Sequence, residues 1–232
     1  MSSEDKAKSD FHNIITEELA GFSVDLKKSD TGILLSASLT EPRAKSEKSD
    51  SEDEPIVTHH QINVGDRTLS YKVTTGLMPI KSEEGETEAN IFFMAYTLDS
   101  VTNDEARPLM FSFNGGPGSA SVWLHMGALG PRRVAMLPDG NLPPPPYKLE
   151  DNPATWLDKT DIVFIDPVGT GFSRPTKPEY GKKFWGLNGD IESVGEFIRL
   201  YLVRYERWAS PLFLVGESYG TTRASGLAGA PR

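Results

Sequence analysis

The sequence predicts an α/β protein with a mixed, mostly parallel central sheet and helices on both faces. Three observations point there. Residues 161–166 hold Ile162, Val163, Phe164 and Ile165 in a row, and residues 211–215 read Pro-Leu-Phe-Leu-Val. Both runs are apolar on both faces and too short for helices, which marks strands buried in a sheet that helices cover. Between them, Ile191, Val194, Phe197, Ile198, Tyr201, Leu202, Tyr205 and Trp208 recur three and four apart over residues 190–208. That spacing is one apolar face of a helix. Strand, helix and strand in this order form a βαβ unit, whose two strands run parallel.

The first 55 residues are read as a poorly ordered acidic and polar segment. Phe11, Ile14, Ile15 and Leu19 have helical spacing, enough for one short amphipathic helix within residues 11–22. Residues 41–55 are mainly Ser, Glu, Asp and Lys, the composition of a linker. The folded domain is expected from Ile56 to the end. Residues 56–64 and 67–75 are β-rich and joined by Gly65-Asp66, a hairpin signal. An acidic turn at 82–88 precedes a strand at 89–98, carried by Ile91, Phe92, Phe93, Met94 and Tyr96. A further strand is expected at 107–113. Residues 122–129 read as a short helix stopped by Gly130-Pro131. Leu142-Pro143-Pro144-Pro145-Pro146-Tyr147 is either a stiff surface loop or a ligand for an aromatic groove.

At 232 residues the chain can bury one sizeable core. A net charge of −9 argues against nucleic acid and anionic membranes as partners. The absence of cysteine excludes disulfides and thiolate metal sites and favours a reducing compartment. No apolar run approaches the roughly 20 residues of a membrane span. The charged residues 1–10 lack the apolar stretch of a secretory signal. A cytoplasmic location is expected, or a periplasmic or secreted one if the true start differs. No cofactor or metal is implied, and oligomeric state is not indicated.

Two stretches carry chemistry. Gly216-Glu217-Ser218-Tyr219-Gly220 follows the strand at 211–215 directly. A G-x-S-x-G pentapeptide alone is a weak signal, but a preceding apolar strand is the context of a nucleophile elbow. A sharp strand-to-helix turn thrusts the serine hydroxyl out of the sheet, the glycines remove side chains that would collide, and the helix N-terminus faces a developing oxyanion. The second stretch is Asn114-Gly115-Gly116-Pro117-Gly118, straight after a strand. Its exposed N–H groups suit an anion or an oxyanion hole, although a plain structural turn is an equal reading. It lacks the Gly-Lys-Ser/Thr of a phosphate-binding loop.

With Asp166-Pro167-Val168-Gly169-Thr170-Gly171-Phe172-Ser173, and with Asn152-Pro153 and Trp156 between, these motifs occur together in one order. That set resembles the serine carboxypeptidase family (peptidase family S10), α/β-hydrolase-fold enzymes that remove C-terminal residues from peptides. The resemblance implies an acyl-enzyme on Ser218, with the Tyr219 and Gly116 N–H groups as the oxyanion hole. It also implies that Asn114, the Gly115 N–H and Glu217 hold the terminal carboxylate of a peptide substrate. Glu217 can donate a hydrogen bond to a carboxylate only when protonated, a state that two carboxyl groups sharing one proton would favour.

Three positions depart from the family pattern: Ser112 where a tryptophan is common, Ala128 where a second glutamate is common, and Ser119 where a cysteine often stands. They keep other readings open, namely an esterase, acyltransferase or lyase on the same scaffold, or a non-catalytic remnant. In α/β-hydrolases the acid and the histidine follow the serine, yet no His, Asp or Glu follows Ser218. The chain is therefore read as an N-terminal part, with the C-terminal strands missing and no activity of its own. His59 and His60 are neighbours on a strand and face opposite ways, so they cannot jointly chelate a metal. His125 is read as local packing, and no catalytic His or Asp is assigned.

Overall fold

Strand β6 (Leu109–Phe113) is the middle strand of the parallel part of the sheet, and the strands on either side of it run parallel to it. The computed structural model describes residues 54–99 and 107–229, together with the backbone of β1 (Val24–Ser29) and β2 (Gly32–Ala37). The chain divides into two compact units, residues 1–51 with Arg133–Glu150, and Glu52–Arg132 with Asp151–Arg232.

In the first unit β1 and β2 pair antiparallel, from Val24 opposite Ala37 to Ser29 opposite Gly32. The sequence reading expected no strand in this stretch, because Lys27-Lys28-Ser29 breaks the apolar pattern of β1; the pairing is backbone-to-backbone across a two-residue connection. The helix expected within residues 11–22 lies outside the described residues, as does nearly all of the expected linker. The polyproline stretch carries no regular secondary structure, and most of it is exposed.

The second unit holds a seven-stranded sheet. Its other members are β3 (Ile56–Val64), β4 (Arg67–Lys81), β5 (Thr87–Leu98), β9 (Asp161–Ile165), β10 (Arg174–Pro175) and β11 (Leu212–Gly216). The order is β11-β6-β9-β5-β4-β3, with β10 on β5. Pairing is parallel across β11-β6-β9 and antiparallel from β9 through β5 and β4 to β3. Strand β4 outruns the expected 67–75 because it stays paired with β5 through Gly76 and Pro79. A separate small pair, β7 (Arg132–Val134) and β8 (Leu149–Asp151), falls mostly within the first unit and was not visible in the sequence.

Both faces of the central strands are covered, as their unbroken apolar character requires. Leu109, Phe111 and Phe113 of β6, Val163 and Ile165 of β9, and Ile91 and Phe93 of β5 share one cluster with Val194, Phe197, Tyr201 and Leu202. Those four residues lie on helix α3 (Leu187–Arg204), which follows the short helix α2 (Gly181–Phe184) and crosses over from β9 to β11 with β6 between them. The alternate residues Tyr96 and Phe164 meet the ring of His125 on the opposite face.

Helix α3 is displaced from the expected 190–208. It starts earlier because Gly186 takes an extended N-cap conformation. It ends earlier because Glu206 turns left-handed (φ 54°) and Arg207 reaches back to Asp161. Trp208, expected on the apolar face, therefore lies beyond the helix and is 60% exposed.

The helix expected at 122–129 is one α-turn, α1 (Val122–Leu124), continued by a π-turn over His125–Leu129. Gly130 closes it, donating to the His125 carbonyl at 2.9 Å. Strand β11 also departs from expectation. Leu212 and Phe213 are 44% and 54% exposed, because β6 is its sole neighbour among the described residues. Among the described residues no helix is long and apolar enough to cross a membrane.

The N-terminal ends of the parallel strands are tied by charge. Asp161 at the start of β9 accepts from Arg107 Nε and from Arg207 Nη1, both at 2.7 Å. Arg207 also donates to the Arg107 carbonyl and to Ser210. The opposite, C-terminal ends of β6, β9 and β11 carry the three sequence motifs, where ligands bind in open α/β sheets.

Candidate active site

Ser218 sits between β11 and helix α4 (Tyr219–Gly229), with φ at +56°. A non-glycine residue there is strained, and such strain clusters at functional positions. The flanking glycines explain how the turn closes. A Cβ at Gly216 would lie 2.0 Å from the Gly220 carbonyl oxygen, and one at Gly220 would lie 2.9 Å from the Phe113 carbonyl oxygen. Gly220 donates to the Glu217 carbonyl and Thr221 to that of Ser218, which completes the turn into α4. Tyr219 opens that helix, where the first N–H groups lack intrahelical acceptors. Ser218 and Glu217 are both exposed.

Because Gly216 is in register with Phe113, the loop after β6 runs beside the elbow. A Cβ at Gly115 would stand 2.5 Å from Tyr219 N and 2.6 Å from the Glu217 carbonyl oxygen. Gly116 has φ +105°, and a Cβ on it would meet Gly118 N at 2.6 Å. The sequence-predicted oxyanion residues Gly116 and Tyr219 thus belong to two backbone segments in contact. Gly115→Ala is expected to force those segments apart, since every clashing atom is backbone, and to destabilise the fold by about 1–3 kcal/mol, the scale of overpacking. Urea unfolding checks this; an unchanged midpoint would mean that the loop yields without cost.

Asn114 is buried at the end of β6. Its Oδ1 accepts from the Leu124 N–H at 3.0 Å, which turns Nδ2 towards Glu217 Oε2 at 3.3 Å. Its backbone carbonyl accepts from Arg223 Nη1 at 2.8 Å. Asn114, Gly115, Gly116, Glu217, Ser218 and Tyr219 are therefore brought together by two adjacent strand ends.

The Asp166–Ser173 loop frames this arrangement. Asp166 is buried and accepts from the N–H groups of Ser121 at 2.8 Å and Phe172 at 3.3 Å. Burial pushes its carboxyl above the usual range, against the pull of those N–H groups and of Arg174. A Cβ at Gly171 would fall 1.7 Å from Asp166 Oδ2, so the loop closes over the carboxyl only with glycine there. Ser173 Oγ accepts from the Phe92 N–H and donates to the Asp166 carbonyl. Asp166 is thus a clasp between the loops that follow β6 and β9.

Asn152 does comparable work at the π-turn. Its Nδ2 donates to the carbonyls of Ala128 and Gly130, at 2.7 and 2.8 Å. Ala128 accordingly contributes a backbone acceptor, and Asn114 is the side chain that meets Glu217. Ser112, on β6, is buried and its hydroxyl has no partner among the described residues.

The three described histidines are engaged elsewhere. His59 meets Asp99, and His60 meets Thr58 and stacks on Tyr71. His125 stacks on Phe164 and lies 2.5 Å from the Tyr96 hydroxyl. Desolvation lowers its pKa to about 3, which leaves a neutral, half-buried ring packed on Phe164. Among the described residues no three His, Asp or Glu side chains group to hold a metal ion.

Sequence reasoning missed Arg223, Asp190 and the role of Asn152. Arg223 and Asp190 are 33 positions apart and fall on different helices, so no local pattern links them.

Residues 64–228 match the family model described as serine carboxypeptidase. The chain is 34% identical over 158 residues to the pheromone-processing carboxypeptidase KEX1 of Saccharomyces cerevisiae, covering 62% of this chain and 20% of that protein. It is 29% identical over 155 residues to serine carboxypeptidase-like 5 of Arabidopsis thaliana, covering 66% and 33%. The solved structure of the prohormone-processing carboxypeptidase KEX1(Δ)p of S. cerevisiae superposes with a TM-score of 0.56 at 30% identity, over 68% of this chain and 33% of that one. The chain thus spans a third or less of the relatives it matches.

Proposed function

The chain belongs to the serine carboxypeptidase family, a hydrolase family of α/β-hydrolase fold, and on that premise we propose that Ser218 is the acyl-forming nucleophile of a carboxypeptidase acting on peptides with a free C-terminus. Ser218 Oγ attacks the carbonyl carbon of the last peptide bond and gives its proton to a general base. The oxyanion is met by the N–H groups of Tyr219 and Gly116. The C–N bond then breaks, the C-terminal amino acid leaves with the proton, and water releases the acyl group. The base and its orienting acid follow the serine in this fold; in this proposal they come from sequence beyond Arg232 in the full-length protein.

The observation that carries the reading is the meeting of a left-handed Ser218 with the Asn114–Gly116 loop, in which Asn114 Nδ2 faces Glu217. An Asn amide and a Glu side chain side by side beside a nucleophile offer polar groups to a substrate carboxylate. Asn114→Ala in the full-length enzyme is expected to lower kcat/KM on a free-acid peptide by about 10- to 100-fold, the scale of a hydrogen bond to a charged group. The C-terminal amide of the same peptide should lose far less. Equal losses on both would assign Asn114 to loop structure alone. Ser112 and Ala128 favour a second reading, an esterase or acyltransferase, since neither brings a carboxyl group to Glu217. Simple esters in the same substrate panel separate the two.

A further inference from the structure

The side chain of Arg223 is fully buried one helical turn beyond Tyr219. Its guanidinium lies 5.1 Å from the Phe113 ring centroid and 5.4 Å from that of Tyr219. Those residues end β6 and begin α4, so the cation occupies the junction between the Gly-rich loop and the elbow. Nε donates to Asp190 Oδ2 at 2.9 Å, and Nη1 donates to the Asn114 carbonyl at 2.8 Å. Nη2 is buried with no partner among the described residues. A buried guanidinium with an unused donor costs stability, so core packing alone is a poor reason for an arginine here.

The Asn114 carbonyl is the informative contact. Asn114 and Gly115 share a trans peptide, since the cis bonds are Gly116-Pro117 and Pro145-Pro146. In a planar trans peptide the C=O and the next N–H point opposite ways. An arginine that holds the Asn114 carbonyl inward therefore turns the Gly115 N–H outward. Asp190, in the first turn of α3, fixes the arginine in turn.

We infer that the Arg223–Asp190 pair is a positioning element for the substrate-carboxylate subsite, aiming the Gly115 N–H and the Asn114 side chain from beneath the loop. This inference rests on the carboxypeptidase reading above. It assigns Arg223 a role in substrate discrimination without contact to substrate.

The test uses the full-length protein, with kcat and KM measured on one peptide as free acid and as C-terminal amide. Arg223→Met keeps length and apolar stem but removes every donor. It is expected to raise KM for the free acid about tenfold or more, with less than about a threefold change for the amide. Arg223→Lys keeps the charge and one point of contact, and should recover part of the loss. Equal losses on acid and amide overturn the positioning role and leave a structural one. Should Arg223→Met fail to fold, Asp190→Asn is read in the same way, because it keeps shape and one acceptor while removing the charge that fixes the guanidinium. A wild-type enzyme that treats acid and amide alike overturns the carboxypeptidase reading and this inference together; discrimination in wild type with parallel losses in the variants overturns this inference alone.

Discussion

Ser218→Ala in the full-length protein is expected to lower turnover by about 10⁴-fold or more while leaving thermal stability close to wild type. The first part follows from the proposed role of Ser218 as nucleophile, since losing such a group typically costs several orders of magnitude. The second follows from the turn. Ser218 is exposed, so its hydroxyl is not a core group. Its left-handed backbone is held by Gly216, Gly220 and the bonds that close the turn, none of which needs the hydroxyl. Alanine at φ +56° is strained much as serine is, so the strain is common to both proteins. Kinetics and a melting curve on the same preparations decide it. A variant retaining more than about a tenth of wild-type turnover would show that another residue is the nucleophile.

Asp161→Ala is expected to have the largest effect on stability, a loss of about 3–5 kcal/mol. Asp161 is almost wholly buried and bridges Arg107 and Arg207, whose side chains are 10% and 4% exposed. Removing the carboxylate leaves two guanidinium groups in a dry interior with their common anion gone. Against a typical total of about 5–15 kcal/mol, that is a large fraction. Asp161→Asn should cost less, because the amide oxygen still accepts one bond. The network lies at the strand ends opposite the candidate site, so properly folded variant at low temperature should keep its KM. Urea unfolding measures the loss; a shift under about 1 kcal/mol would mean that water reaches the arginines after all.

What the sequence determined by itself was whatever depends on near neighbours in the chain. Ile162 to Ile165 could be read as a central strand because four consecutive apolar residues leave neither face for water, and β9 lies between β6 and β5. The elbow was legible because Gly216, Ser218 and Gly220 satisfy one tight turn among themselves. The polar contacts that hold the site depend on the fold. Asn114 and Glu217 stand 103 positions apart, and Arg223 reaches Asn114 across 109. Those pairs exist because β6 and β11 are parallel neighbours, a fact about sheet order that no local pattern encodes. Helix limits were also decided at long range. Trp208 fits the apolar periodicity of α3, yet the Arg207–Asp161 bridge and the left-handed Glu206 end the helix before it. His125 likewise follows the Gly-rich loop in sequence, but the face of Phe164 and the Tyr96 hydroxyl hold it against the sheet. Local periodicity measures which residues seek burial. Which partners they meet there is set by the order in which the strands assemble.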